Sequence, residues 1–170
     1  KSAGGDPLYC SLYKPVGYDA GKKYPVVVYW YGGSHAQLIL NSWNAGAGDY
    51  WFRYMAEQGY VVFVMDTHGS DNRGKAFEQS MFRRVGDVQM QDMMTGVDYL
   101  KALPYVDADR MGLFGWSFGG FNTVDFMLNH PGVFKAAVAG GPVINWNLYE
   151  VMYTERYMDT PQENPEGFAA

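Results

Sequence analysis

The sequence has little cysteine, no cluster of basic residues and no long apolar run. Its single cysteine, Cys10, excludes an internal disulfide framework. The 13 Lys and Arg residues are scattered and the formal net charge is -5, so the basic surface that nucleic acid or an anionic membrane requires is absent. The longest apolar run, at Val26 to Trp30, is far shorter than the roughly 20 residues needed to cross a bilayer. We therefore expect no nucleic-acid partner and no membrane insertion by this segment.

What the chain does contain is apolar and aromatic material. With 170 residues, 48% of them hydrophobic, it can form one core, so one domain or part of one is the expected organisation. The 14 Tyr and 5 Trp residues suit either buried rings or an apolar pocket. Because the chain begins at Lys1 without a charged and apolar leader, we expect any targeting segment to lie outside these residues.

Short apolar runs alternate with stretches of helical periodicity along the chain. β-branched and aromatic runs predict buried strands, and apolar residues at helical spacing predict helices. This alternation predicts an α/β fold with a mostly parallel sheet and helices on both faces. The predicted strands are Leu8 to Lys14, Tyr24 to Tyr31, Tyr60 to Met65, Met111 to Phe114 and Phe134 to Ala139; the predicted helices are Asp49 to Gln58, Gly86 to Leu103, Phe118 to Asn129 and Trp146 to Met158.

The motif with the clearest chemistry is Gly115-Trp116-Ser117-Phe118-Gly119. A G-x-S-x-G string between a strand and a helix is typical of a nucleophile elbow, in which a strained turn lifts a serine hydroxyl above the sheet. The string alone is of modest specificity, and a plain glycine-rich turn is the structural alternative. Its position between a predicted strand and a predicted helix favours the elbow, in which Ser117 would attack a carbonyl carbon and form an acyl-enzyme.

Around the elbow, the chain resembles the catalytic domain of the prolyl oligopeptidase clan, in its dipeptidyl peptidase IV subfamily, and most of all the bacterial prolyl tripeptidyl peptidases. This resemblance extends from about Tyr24 to Phe168. It is strongest in these strings: Tyr29-Trp-Tyr-Gly-Gly-Ser-His-Ala-Gln37, Gly115 to Gly120, Gly141-Pro-Val-Ile-Asn-Trp-Asn147, Tyr153-Thr-Glu-Arg-Tyr157 and Pro161-Gln-Glu-Asn-Pro-Glu-Gly167. It implies an α/β-hydrolase fold.

The resemblance also implies roles for particular residues. Ser117 would be the nucleophile, and the Tyr31 hydroxyl and the Phe118 backbone N–H would stabilise the oxyanion. Phe118 would also line the proline-holding pocket, together with Val143, Trp146, Tyr149 and Tyr153. From spacing alone, Tyr31 would be a packed tyrosine at a strand end, and the Trp146 to Tyr157 rings would be a core stripe on one helix face. For Tyr157 the core interpretation is retained.

Three positions depart from the related sequences. Ser34 stands where relatives often have proline, His68 where many have arginine, and Phe118 where tyrosine is usual. None of these changes removes a catalytic group.

The acid and base of a triad are not evident in the sequence. α/β-hydrolases order their triad as Ser, then Asp or Glu, then His, and only about 50 residues follow Ser117. His35, His68 and His130 do not match the catalytic position, so structural or surface roles are expected, and no pair has zinc-ligand spacing. We expect no metal and no cofactor. Residues 1–170 would then be the N-terminal portion of a hydrolase domain, without its C-terminal part and without the family's β-propeller.

The leading functional hypothesis is a serine exopeptidase that releases Xaa-Xaa-Pro tripeptides from proline-containing peptides. Release of Xaa-Pro dipeptides is the close alternative, and an esterase or other acyl hydrolase and a non-catalytic binding relative are more distant ones. By itself the chain should have little activity, because an unassisted serine hydroxyl is a weak nucleophile. The resemblance further implies a homodimer in the complete protein and a periplasmic or cell-surface location.

Overall fold

In a computed structural model, the chain is described over residues 1–43 and 49–169. Its strands are β1 (Cys10–Tyr13), β2 (Tyr24–Tyr29), β3 (Val61–Met65), β4 (Val106–Trp116) and β5 (Ala136–Gly140). Its α-helices are α1 (Asp49–Glu57), α2 (Lys75–Glu78), α3 (Asp87–Ala102), α4 (Phe118–Asn129), α5 (Val151–Met158) and α6 (Pro165–Ala169). Short 3₁₀ turns occur at Gln79–Met81 and Trp146–Leu148.

The strands of the described residues form one sheet in the order β1-β3-β2-β4-β5. β1 pairs antiparallel with β3, and every other pair is parallel. The parallel register places Val28 beside Phe63 on one side and beside Leu113 on the other. The predicted α/β class and mostly parallel sheet are therefore confirmed.

Both faces of the sheet carry helices, as predicted. On one face, α3 and α4 contribute Met93, Leu100 and Phe126 to a core with Val28 and Trp30, all at most 1% exposed. On the other face, α1 packs through its buried Phe52, which meets the Tyr29 ring at 5.1 Å. Two-sided coverage explains why β3 is buried at every residue and reads as an unbroken apolar run.

The predicted helix from Trp146 to Met158 is wrong over its first five residues, and its remainder, Val151–Met158, is helical. Trp146–Leu148 is a 3₁₀ turn, and Tyr149 and Glu150 are extended, with ψ of 166° and 138°. The Glu150 carboxylate accepts from the backbone N–H of Met152 at 3.2 Å and so caps a new helix, α5. Local capping thus outweighs the helical spacing of the aromatic residues.

Other boundaries differ more modestly. β4 begins at Val106, because Val106 already pairs with Tyr24 before the register shift in that ladder. Two short helices, α2 and α6, were not predicted, and α6 begins at Pro165, where a missing N–H costs nothing. In the described part of the chain, no helix is long and apolar enough to span a bilayer.

Candidate active site

The turn around Ser117 joins β4 to α4 directly. β4 ends at Trp116, α4 begins at Phe118, and Ser117 has φ 57° and ψ -116°. A non-glycine residue in such a conformation costs on the order of 1–3 kcal/mol and is concentrated at functional sites. The Ser117 N–H donates to the Gly140 carbonyl at 2.8 Å, which ties the turn to the end of β5. Ser117 is thereby held, partly exposed, at the carboxyl edge of the sheet.

The glycines of the motif are explained by packing. A Cβ on Gly115 would lie 2.0 Å from the Gly119 carbonyl oxygen, and one on Gly119 would lie 2.4 Å from the Trp30 carbonyl oxygen. At Gly120, a Cβ would lie 2.6 Å from the Gly140 carbonyl oxygen. Each obstacle is backbone, which cannot rotate away, so the strand-to-helix turn requires glycine at these positions.

Tyr31 lies at the neighbouring strand end. It follows β2, which pairs with β4, and the chain leaves these two strands towards opposite faces of the sheet. Such a switch point forms a crevice at the carboxyl ends of the strands, where ligands of α/β proteins bind. The Tyr31 and Phe118 rings are 6.3 Å apart between centroids. The structure therefore brings Tyr31 beside the start of α4.

Asn122 fixes this arrangement, although sequence analysis did not single it out. It is fully buried on α4, and its Nδ2 donates to the Tyr31 carbonyl at 2.9 Å. Its Oδ1 has no partner within the described residues. The only sequence signal was a polar residue on the buried face of a helix, which does not reveal its partner 91 positions away.

Replacing Asn122 with aspartate is expected to destabilise the fold strongly. A carboxylate in the same position would face the Tyr31 carbonyl oxygen without a hydrogen to donate, in a fully buried setting. An unpaired buried charge of this kind costs about 3–5 kcal/mol. Thermal unfolding would show a much lower midpoint for Asn122→Asp, while Asn41→Asp, at an exposed position in the loop between β2 and α1, should change the midpoint little. Equal midpoints for the two variants would contradict the role given to Asn122.

An aromatic cluster borders the Ser117 turn. The Phe118 ring lies 6.1 Å from Trp146, and Trp146 lies 6.2 Å from Tyr153 with the two planes only 5° apart. Tyr149 meets Trp146 at 5.9 Å and Tyr153 at 5.2 Å, edge-on in both cases. These four predicted pocket rings are thus brought together, even though the helix expected to carry Trp146, Tyr149 and Tyr153 is interrupted.

Two further residues of this segment occupy different settings. Val143 is buried after β5, 9% exposed, and precedes the ring-bearing turn. Tyr157 is equally buried and packs 4.8 Å from Tyr153, in a core cluster with Met81 and Phe118. Its core placement agrees with the interpretation from helical spacing.

All three histidines have partners away from Ser117. His35 Nδ1 is 2.6 Å from the Tyr157 hydroxyl. His68 Nδ1 is 2.6 Å from Asp92 Oδ2, and its ring stacks on Phe77 at 4.1 Å. His130 packs on Phe126.

The Ser117 hydroxyl has no hydrogen-bond partner among residues 1–43 and 49–169. The same residues contain no group of three or more His, Cys, Asp or Glu side chains that could hold a metal ion. What the described part of the chain offers is a positioned serine, a tyrosine hydroxyl and an aromatic surface.

A separate apolar concavity of about 440 Å³ lies on the α1 face of the sheet, lined by Val27, Trp51, Phe114 and Val138 among others. It holds no titratable side chain. A site for covalent chemistry needs a nucleophile and convergent polar groups, so the Ser117 crevice is the candidate active site.

A serine held in a strained turn between a parallel strand and the following helix, at the sheet's carboxyl edge, defines the α/β-hydrolase class. The sequence comparison places the chain within that class. Residues 48–170 match the Prolyl oligopeptidase family, and the chain belongs to this family.

Known relatives agree with this assignment. Dipeptidyl peptidase 8 of Homo sapiens is 38% identical over 169 residues, which cover 99% of this chain and 19% of the relative. A Bacteroides ovatus protein provisionally named dipeptidyl aminopeptidase IV has a crystal structure that matches with a TM-score of 0.94 at 53% identity, over 99% of this chain and 24% of that one. Porphyromonas gingivalis dipeptidyl peptidase 4 matches with a TM-score of 0.91 at 34% identity, over 99% and 23%. The chain therefore spans about a fifth to a quarter of the length of these relatives.

Proposed function

We propose that this chain supplies the nucleophile and the proline-binding surface of a serine exopeptidase that cleaves after proline near the N-terminus of peptides. The observation that carries the proposal is the meeting of the strained Ser117 turn with Tyr31 and the aromatic cluster at one edge of the sheet. Family membership and the dipeptidyl peptidase names of the relatives support it.

The chemistry follows from the geometry of the turn. Ser117 Oγ attacks the carbonyl carbon of the scissile bond, and negative charge develops on the carbonyl oxygen. Phe118 is the first residue of α4, so its N–H has no partner within the helix and is available to that oxygen. The Tyr31 hydroxyl is the second donor. The triad's base takes the Ser117 hydroxyl proton and passes it to the departing amine, which leaves an acyl-enzyme on Ser117; water, deprotonated by the same base, then hydrolyses the ester and releases the peptide.

The aromatic cluster suits proline at the cleaved position. A pyrrolidine ring offers no polar atom to satisfy, so apolar rings from Trp146, Tyr149 and Tyr153 can enclose it without leaving an unpaired group. The Phe118 ring, itself only 1% exposed, packs behind Trp146. Val143, buried nearby in the chain, would complete the wall.

The proposed enzyme includes parts outside this chain. We propose that residues 1–170 form the N-terminal portion of the hydrolase domain, that the triad's acid and base follow it, and that a propeller domain binds the substrate's free amino group. The share of each relative that the chain covers supports this organisation. Homodimerisation and a periplasmic or cell-surface location are proposed on the resemblance alone; light scattering and cell fractionation of the complete protein test them.

A kinetic assay decides whether the released product is a tripeptide or a dipeptide. The resemblance to prolyl tripeptidyl peptidases favours release of Xaa-Xaa-Pro, whereas relatives named dipeptidyl peptidases favour release of Xaa-Pro. The complete protein should be assayed with Ala-Ala-Pro and Gly-Pro fluorogenic amides, and the larger kcat/KM identifies the product. Hydrolysis of p-nitrophenyl acetate without either amide would indicate an esterase, and no turnover at all would indicate a binding relative.

Replacing Tyr31 with phenylalanine tests the oxyanion role. The ring and its contact with Phe118 are kept, but one donor to the transition state is lost, so kcat should fall about 10²-fold with little change in KM. Steady-state kinetics on the better amide measures both constants. Tyr54→Phe, on the exposed side of α1, is the matched control and should behave as the unmodified enzyme. An unchanged kcat in Tyr31→Phe would remove Tyr31 from the mechanism.

A further inference from the structure

We propose that Ser34, assisted by His35, is a positioning residue that sets the Tyr153 ring in the proline pocket through a hydrogen bond to its hydroxyl. This inference rests on the proposed function and deepens it. It adds to that site a determinant that lies on the loop after β2, outside the aromatic segment itself.

The loop that carries Ser34 has an unusual backbone. Gly32, Gly33, Ser34 and His35 all have positive φ, of 91°, 109°, 46° and 60°. For the two residues with side chains, this conformation is strained, and such strain persists where the surrounding structure imposes it. The loop passes close to the chain that follows β3: a Cβ on Gly33 would lie 2.7 Å from the Gly69 carbonyl carbon, and the His35 N–H donates to the Gly69 carbonyl at 3.3 Å. The loop is therefore held firmly against the chain that follows β3.

Ser34 and Tyr153 meet through their hydroxyl groups. The Tyr153 hydroxyl donates to Ser34 Oγ, across 119 positions of sequence. Ser34 is only 3% exposed, so a Tyr153 hydroxyl without this acceptor would be left largely away from water. Burial also raises the pKa of Tyr153 above its usual range, which keeps the hydroxyl protonated and able to donate at physiological pH.

His35 makes a parallel contact one helical turn further along α5. Its Nδ1 lies 2.6 Å from the hydroxyl of Tyr157, and the two rings stack at 6.3 Å. Tyr153 and Tyr157 are four residues apart and lie on one face of the helix. Ser34 and His35, which are adjacent in the loop, thus bind Tyr153 and Tyr157 on one face of α5. Together the two contacts restrain the rotation of α5 about its own axis and its position along that axis.

The contacts of Ser34 and His35 with α5 affect the shape of the proline pocket. Tyr153 is parallel to Trp146 and edge-on to Tyr149, so a shift of its ring changes the walls on two sides. Tyr31 lies three residues before Ser34, so the same loop joins the proposed oxyanion donor to the pocket. Because the side-chain hydrogen bond of Ser34 is to a pocket ring and not to Tyr31 or Ser117, its loss should change which side chain fits at the cleaved position more than it changes the chemical step.

A double-mutant cycle on the complete protein tests this inference. Ser34→Ala, Tyr153→Phe and the double variant are assayed on paired amides that differ only in proline or alanine at the cleaved position. Ser34→Ala should reduce kcat/KM on the proline amide about 10-fold, mainly through KM, and on the alanine amide less than 2-fold. Because one hydrogen bond is removed in each case, the double variant should be no worse than Tyr153→Phe. Ser11→Ala, on the far edge strand β1, is the control and should change neither amide.

Each outcome is decisive. Additive effects, or equal losses on both amides, would overturn the positioning role even if the enzyme cleaves after proline. Should Ser34→Ala fail to fold, Ser34→Gly takes its place, since glycine suits the positive φ of this position and also removes the acceptor of the Tyr153 hydroxyl; it must show the same selective loss. If the unmodified enzyme cleaves neither amide, the proposed function is wrong, and the positioning role of Ser34, which rests on that function, is wrong as well.

Discussion

Ser117→Ala is expected to lower kcat/KM on a proline amide by at least about 10³-fold, because the hydroxyl that would attack the substrate is removed and no acyl-enzyme can form at this position. The substitution removes a single partly exposed oxygen that has no hydrogen-bond partner in the described part of the chain. Folding should therefore be almost unaffected, and KM should change far less than kcat. Steady-state kinetics and thermal unfolding of the complete protein measure the two effects.

Ser11→Ala provides the comparison for this variant. Ser11 is a half-buried serine on the edge strand β1, which β3 and β2 separate from β4. Its loss should leave turnover unchanged. If Ser117→Ala retained more than about a tenth of the activity, the nucleophile would have to lie elsewhere.

Gly115→Ala is expected to destabilise the fold by about 3 kcal/mol or more, because the added methyl group would lie 2.0 Å from the Gly119 carbonyl oxygen and 2.6 Å from Thr123 Oγ1. The turn cannot open without moving α4 away from β4. A loss of this size corresponds to a fall of about 10 °C in the unfolding midpoint. Differential scanning fluorimetry and the yield of soluble protein check the prediction.

Gly112→Ala is the matched control on the same strand. There, a Cβ would meet only the Ala136 and Val26 carbonyl oxygens, at 3.6 Å and 3.9 Å, which are ordinary contact distances. Its midpoint should stay within a few degrees of that of the unmodified protein. A Gly115→Ala variant as stable as Gly112→Ala would show that the turn is looser than its geometry indicates.

Local sequence patterns predicted the sheet and the main helices well. The buried strand Val61–Met65 is unbroken in its apolar character, and the Asp87–Ala102 helix places Met90, Met93 and Val97 on its core side. Both signals are local consequences of burial and periodicity, so no tertiary information was needed. The aromatic segment was misjudged because Trp146 and Tyr153 also fit a helical stripe, and only the cap formed by Glu150 shows where that helix begins.

The candidate site was predictable only in part. The Ser117 turn has a strict backbone requirement and therefore leaves a glycine signature in the sequence. The Asn122 bond to Tyr31 and the Ser34 bond to Tyr153 have no such signature. Each joins residues on separate elements that only the sheet topology brings together. Side-chain contacts across the fold are therefore the part of the site that sequence patterns cannot supply.

The most direct test of the central claim is covalent trapping of the complete protein with a peptidyl proline phosphonate, followed by mass spectrometry of its peptides. We expect one adduct, on Ser117, whose formation is slowed by a competing proline peptide and is absent in Ser117→Ala. An adduct on another residue, or a rate no greater than that of the matching alanine phosphonate, would contradict a serine nucleophile placed beside a proline pocket.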